Sequence, residues 1–270
     1  MVEWVIGLVC SLIIAGAAYA KRSLSASGAA MAVVVGTLLY AFGSLAWFGT
    51  LIVFFVTSSL LSKWKQRLKA AAESGYVKSG RRDAGQVFAN GGIAVLLCVG
   101  HYVWPHPLWW PAFIGVLASV NADTWATEIG GLSRSQPRSI VSGRKVPAGT
   151  SGGVTWLGIA ASFAGGLTIG VSAWLLSLGE PAGTESVSPW MLLLLGICGG
   201  LAGSLSDSWM GAVWQVMYRC PVCGKEIEKS RHCDTAAVRF RGASFMTNDT
   251  VNMISSLVGG AVCIVLYKLF

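Results

Sequence analysis

LWWPAFIGVLASVNADTWATEIGG, residues 108–131, is long and apolar enough to cross a bilayer, yet it carries Asp123 and Glu128. A spanning helix needs about 20 mainly apolar residues. A carboxylate at its centre costs roughly 2.5–3.5 kcal/mol on insertion scales. Asp207 and Asp249 lie in or at the edge of two further apolar runs, 190–217 and 246–269. Four such groups facing lipid would cost about 10 kcal/mol, so they are expected to face protein, water or cations. The reading is a membrane bundle built around a polar site.

The rest of the chain agrees with that class. Of 270 residues, 54% are hydrophobic and only 12% charged, a composition foreign to a soluble globule. Eight apolar segments are near spanning length: 2–20, 24–42, 43–62, 84–104, 108–131, 152–178, 190–217 and 246–269. The expected fold is all-α, a polytopic transmembrane bundle of about 7–8 helices forming a single domain over 1–270. The second and third segments share so few residues that they are the tightest pair. Ala18-Tyr19-Ala20 looks like a cleavage site, but Glu3 precedes the first apolar run and Lys21-Arg22 follow it. That charge order predicts a retained first helix with its N-terminus outside.

Nineteen of the twenty basic residues fall in four alternate loops: 21–22, 63–82, 134–145 and 219–241. The positive-inside rule assigns those loops to the cytoplasm of a multi-pass cell-membrane protein. The opposite loops hold Glu180, Glu185, His101 and His106. Topology accounts for the net charge of +8, so no nucleic acid partner is inferred.

Polar residues crowd the cytoplasmic halves of the helices. Asp83, Gln86 and Asn90 open the fourth, NADTWATEIG (121–130) closes the fifth, GSLSDSWMG (203–211) lies late in the seventh, and TNDTVN (247–252) opens the eighth. This predicts a wet pocket open to the cytoplasm, where the active site would face. At 100° per residue Asn121, Thr124 and Glu128 share a face, with Asp123 about 140° from Glu128. Both carboxylates can then line one site only if it wraps the helix end or the helix unwinds near Gly130-Gly131. DTW (123–125) and DSW (207–209) resemble remnants of a parallel internal repeat.

Two loops carry further chemistry. LSRSQPRSIVSGRKVPAGTSGGV (132–154) offers Arg138, Arg144 and Lys145, then Gly149, Thr150, Ser151, Gly152 and Gly153. Glycine backbone and arginine side chains suit phosphate, although the Walker A ending is absent. Carboxylates for Mg²⁺ beside cations for phosphate is the chemistry of a polyphosphate. CPVCGKEIEKSRHC (220–233), in the cytoplasmic Cys/His loop 219–243, offers Cys220, Cys223, His232 and Cys233 as ligands for a structural Zn²⁺. Disulfides rarely persist in that compartment.

RRDAGQVFANGG (81–92), NADTWATEIGGLS (121–133), VPAGTSGGVTWLG (146–158), GSLSDSWMGAVWQ (203–215) and NDTVN (248–252) resemble the integral-membrane family that contains the plant phytyl-phosphate kinase of vitamin E synthesis. The resemblance spans nearly the whole chain. It implies an enzyme that converts an isoprenyl monophosphate to its diphosphate, with CTP or another nucleoside triphosphate as donor. From the chemistry, Asp123, Glu128, Asp207 and Asp249 are expected to bind Mg²⁺ and set the site's electrostatics. Arg138, Arg144, Lys145 and the 149–153 loop would hold phosphates. Gln86, Asn90, Asn121, Thr124, Ser208, Asn248 and Asn252 would orient substrates. Two alternatives remain: a cation-coupled transporter of an anionic lipid, and a cytidylyltransferase-like enzyme making a CDP-lipid. The last is echoed by Ser-x-Ser-Asp at 204–207, but its following Lys-Arg is missing.

Overall fold

The computed structural model describes residues 1–64, 81–180 and 187–270. Lys65, Arg67, Lys69, Lys78 and Glu185 lie outside the described residues. Among those described there are eight helices: α1 Val2–Ala20, α2 Ala26–Phe42, α3 Leu45–Lys63, α4 Ala84–Val103, α5 Trp109–Gly130, α6 Trp156–Ser177, α7 Pro189–Val213 and α8 Asn248–Leu269. Seven strands of two to four residues lie in the loops: β1 Arg138–Ser139, β2 Gly153–Val154, β3 Met217–Arg219, β4 Glu226–Ile227, β5 Arg231–His232, β6 Thr235–Ala236 and β7 Val238–Arg241. None enters the bundle.

Six helices are long and apolar enough to cross a membrane. The two exceptions have different causes. α2 has 17 residues, about 26 Å at 1.5 Å per residue, just short of the roughly 30 Å hydrocarbon core. α5 is long enough but more polar, because it sits in the middle of the bundle: every residue from Trp110 to Ala122 is buried. It packs against α4, α6, α7 and α8, so protein replaces lipid around it.

The close packing of α5, α7 and α8 rests on small residues, as in membrane bundles where backbones must approach. A Cβ on Gly199 would fall 2.9 Å from the Gly115 Cα, and one on Gly203 would fall 1.8 Å from Ser119 Oγ. Positions 115 and 119 of α5 thus face 199 and 203 of α7, a constant offset along two helices running the same way. One turn further, that offset pairs Asp123 with Asp207. The DTW and DSW triplets therefore occupy matching places in a parallel helix pair.

At the opposite end the interior is filled by aromatics. Trp47, Trp110 and Phe113 are buried, with ring centroids 4.4 Å (Trp47–Phe113) and 5.3 Å (Trp110–Phe113) apart. Glu180 fastens that end by accepting the Ala46 N–H at 2.9 Å, a donor at the start of α3 that it shares with the N-cap Ser44 Oγ at 3.2 Å.

Candidate functional site

A cavity of about 1240 Å³ opens at the basic end of the bundle. Its walls are the start of α4, the end of α5, the later part of α7, the start of α8 and segments of both loops. Asp123, Glu128, Asp207 and Asp249 all line it. α5 does not unwind at Gly130. The cavity instead wraps the helix end, touching Asp123, Thr124, Thr127 and Glu128 in turn.

Three of the four sit in surroundings that favour them. Ser255 Oγ donates to Asp207 Oδ2 at 3.0 Å, and Ser62 Oγ donates to Glu128 Oε1 at 2.5 Å. Asp123 and Glu228 are the charged neighbours of Asp207. Asp249 sits in the first turn of α8, where the positive end of the helix dipole favours an anion.

Opposing these groups are cations whose positions the positive-inside rule alone would explain. Lys21, Arg22, Lys63, Arg81 and Arg82 line one side of the cavity, Lys229 and Arg231 the other. Arg82 is the best fixed. Its backbone N–H donates to Ser23 O at 3.0 Å, and its carbonyl accepts from Ser25 N at 3.0 Å. Its guanidinium lies 5.7 Å from the Phe54 ring centroid. Burial pulls this guanidinium down to about 10, with Glu128 opposing the shift, so it remains cationic at neutral pH. Arg81 and Arg82 open the RRDAGQVFANGG block, a signal overshadowed by the charge asymmetry of the whole chain.

The sequence profile of the integral membrane protein DUF92 matches residues 9–260. The chain belongs to this family. Protein PGR of Arabidopsis thaliana is 31% identical to this DUF92 chain, over 94% of the chain and 92% of the plant protein. An uncharacterized membrane protein of Methanocaldococcus jannaschii is 27% identical, over 92% and 87% of the respective chains. A third, an uncharacterized membrane protein of Synechocystis, is 32% identical over 62% of this chain and 67% of its own. No solved structure matches the fold.

The DUF92 bundle brings most of the expected site together and leaves part of it out. Gln86, Asn90, Thr124, Thr150, Ser151, Gly152, Gly153, Ser208, Asn248 and Asn252 line the cavity. Gln86 has its side-chain oxygen engaged in a capping box with Asp83. Among the described residues, nothing hydrogen-bonds the buried Asn90 Oδ1, and such an atom is costly unless a ligand or water meets it.

Asn121 does not join the site. It is fully buried, donates through Nδ2 to Gly165 O at 2.8 Å and accepts from Thr57 and Ser58. It stitches α3, α5 and α6 together. Arg138, Arg144, Lys145 and Gly149 also fall outside the cavity lining. The β1–β2 ribbon pairs Arg138 with Val154, Arg138 Nη1 donates to Gly143 O at 2.9 Å, and Arg144 and Lys145 are exposed. Only the C-terminal end of this loop, 150–153, lines the cavity, because Gly152 at φ +80° lets it press onto α7, where a Cβ would fall 2.4 Å from that of Ala212.

The loop of residues 217–241 forms the remaining wall. Ser151 Oγ donates to Gln215 Oε1 at 2.9 Å, and Gln215 Nε2 donates to Glu228 Oε1 at 2.8 Å. This chain of bonds ties the glycine loop, the end of α7 and the cysteine loop into one rim. One ligand atom from each of Cys220, Cys223, His232 and Cys233 lies within 4.8 Å of all the others.

Proposed function

We propose that this DUF92 protein is a membrane-embedded isoprenyl-monophosphate kinase, which transfers the terminal phosphoryl group of CTP or another nucleoside triphosphate to phytyl or a related polyprenyl phosphate. The observation that carries the reading is a cavity in which carboxylates face cations and which adjoins a small apolar slot. That slot runs between α1, α2, α3 and α4, lined by Ala15, Leu24, Val35, Leu51 and Phe55 among others, and it meets the cavity at Arg82 and Asn90. A phosphate head beside Arg82 would therefore have the first units of its hydrocarbon chain directed into apolar surroundings.

In this scheme an oxygen of the acceptor phosphate attacks the γ-phosphorus of the donor. A new P–O bond forms, the bond from the γ-phosphorus to its β-bridging oxygen breaks, and the nucleoside diphosphate leaves with that oxygen. The acceptor is already an anion, so neutralising charge and aligning the two phosphates matter more than removing a proton. Arg82 and Lys63 are suited to hold the acceptor phosphate, and Lys229 and Arg231 to hold the donor's. Asn90 can rotate its amide toward either.

Asp123 and Asp207, set side by side by the α5–α7 register, with Asp249, Asn248 and Asn252 lining the same cavity, offer oxygen ligands of the kind Mg²⁺ takes. Bound there, Mg²⁺ would neutralise the donor's phosphates.

A lipid exporter needs a route to the other side. The buried Trp47–Trp110–Phe113 packing at the far end speaks against one. The test is transfer of ³²P from γ-labelled CTP or ATP to phytyl, geranylgeranyl or farnesyl phosphate. Isoprenyl diphosphate is the expected product. A CDP-lipid with release of pyrophosphate would establish the cytidylyltransferase instead, and no product from well-folded protein would defeat both enzymes.

A further inference from the structure

The cysteine loop reads in sequence as a set of potential ligands, but its backbone shows why those ligands meet. In the first half, Gly224 N donates to Cys220 O at 2.9 Å and Cys220 N donates to Lys225 O at 3.0 Å. Gly224 takes φ +70°, which turns Cys220 and Cys223 to the same side, as in a zinc knuckle. In the second half, β5 pairs with β6 so that His232 faces Thr235. The two residues between them, Cys233 and Asp234, have φ +48° and +56°. That is a two-residue primed turn, the tightest hairpin connection, here made without glycine.

The left-handed turn solves a geometric difficulty. Adjacent residues on an extended strand point to opposite faces, so His232 and Cys233 could not both bind one ion there. With Cys233 at positive φ, its sulfur comes within 3.2 Å of His232 Nδ1, while Cys223 Sγ lies 3.4 Å from the same nitrogen. Tetrahedral zinc, with bonds of about 2.3 Å to sulfur and 2.0–2.1 Å to nitrogen, sets its ligand atoms roughly 3.5–3.8 Å apart. The two sulfur–nitrogen distances are close to that spacing, and every pair lies within 4.8 Å. Strained non-glycine backbone is retained where something over-determines it, and a shared ion does so.

We propose that Cys220, Cys223, His232 and Cys233 bind one Zn²⁺, and that this centre holds the Glu228–Arg231 segment in place as a wall of the cavity. Glu228, Lys229, Ser230 and Arg231 all line the cavity, and they bridge the two ligand pairs. The module is also pinned to the bundle: Arg241 donates through Nη2 to Gly211 O at 3.0 Å and through Nη1 to Ala212 O. The strands here have only two to four residues, too short to hold a hairpin firmly on their own. The ion would supply the missing rigidity, as it does in small zinc modules. This inference does not depend on the kinase reading.

Full-length protein produced with zinc supplied and purified in detergent should contain about one zinc per chain by mass spectrometry of the metal. Cobalt exchanged into it should give the visible bands of a tetrahedral thiolate site. Cys223→Ser and His232→Ala should lose the metal, whereas Cys233→His, which keeps a zinc-binding group on a residue type tolerated at positive φ, should retain it. Hydrogen exchange at residues 226–236 should speed at least tenfold when zinc is stripped, with the helices unchanged. Folded wild-type protein with no zinc and no cobalt spectrum would overturn the proposal, as would a disulfide among these cysteines. Zinc present but exchange at 226–236 unaffected by its removal would overturn the wall.

Discussion

Gly203→Ala probes how α5 and α7 set the spacing of the two central aspartates. The new methyl would lie 1.8 Å from Ser119 Oγ, 2.2 Å from its Cβ and 2.9 Å from its Cα, all far inside van der Waals contact. Neither helix can absorb this locally, because Ser119 is buried and its hydroxyl donates to Ser255 O at 3.2 Å. The helices must separate, and such overpacking costs roughly 1–3 kcal/mol. At about 2–4 °C per kcal/mol for a chain of this size, the thermal midpoint in detergent should fall by about 2–12 °C. Ser119→Gly removes the two shortest contacts. Alone it should destabilise by about 1–2 kcal/mol, from helix propensity and the lost hydrogen bond. Combined with Gly203→Ala it should recover about half the loss, giving a favourable coupling of at least about 1 kcal/mol in a double-mutant cycle. Additive effects within about 0.5 kcal/mol would refute the 119–203 register, and with it the pairing of Asp123 with Asp207.

Three further outcomes are expected. Asp123→Asn and Asp207→Asn should each lower phosphoryl-transfer turnover by about 10²-fold or more while the protein stays folded; steady-state rates across a Mg²⁺ titration check this, and wild-type turnover in either variant would move the site elsewhere. Arg82→Ala should raise KM for the lipid phosphate by at least ~10-fold, the loss of a charge-assisted contact of about 1.5–3 kcal/mol, whereas Arg144→Ala should stay within about twofold; the reverse order would return phosphate binding to the 132–154 loop. Gly91→Phe should block the apolar slot, since even a Cβ there meets Val35 at 3.0 Å, raising KM for long-chain acceptors more than for a short prenyl phosphate; equal effects on both would place the hydrocarbon chain elsewhere.

The bundle was legible because lipid punishes polar backbone and charge, so apolar segment lengths translate directly into helices. All eight expected segments are helices, to within four residues at each end. The carboxylates were legible for the same reason, their cost in hydrocarbon marking them as residues that face something else. The cations were not. Lys21, Arg22, Lys63, Arg81 and Arg82 stand where the positive-inside rule places basic residues anyway, so their charge had an explanation that needed no site. Asn121 misled in the opposite way: a buried amide bridging three helices looks, in sequence, like one lining a pocket. Arg138, Arg144 and Lys145 were drawn in by neighbouring glycines, but a two-residue strand pairing that no periodicity could reveal turns them outward. The Cys233-Asp234 turn was equally hidden, since neither residue is one that favours positive φ as glycine does.

The central claim is that one cavity holds a nucleoside triphosphate and a lipid phosphate for direct transfer between them. Purified protein in nanodiscs, given γ-³²P-labelled CTP, geranylgeranyl phosphate and Mg²⁺, tests it most directly when the lipid product is resolved by chromatography and mass. The account predicts label in the terminal phosphate of geranylgeranyl diphosphate, abolished by Asp123→Asn. Label absent from the lipid with every donor and every prenyl phosphate, in protein whose thermal midpoint is that of the folded state, would contradict it.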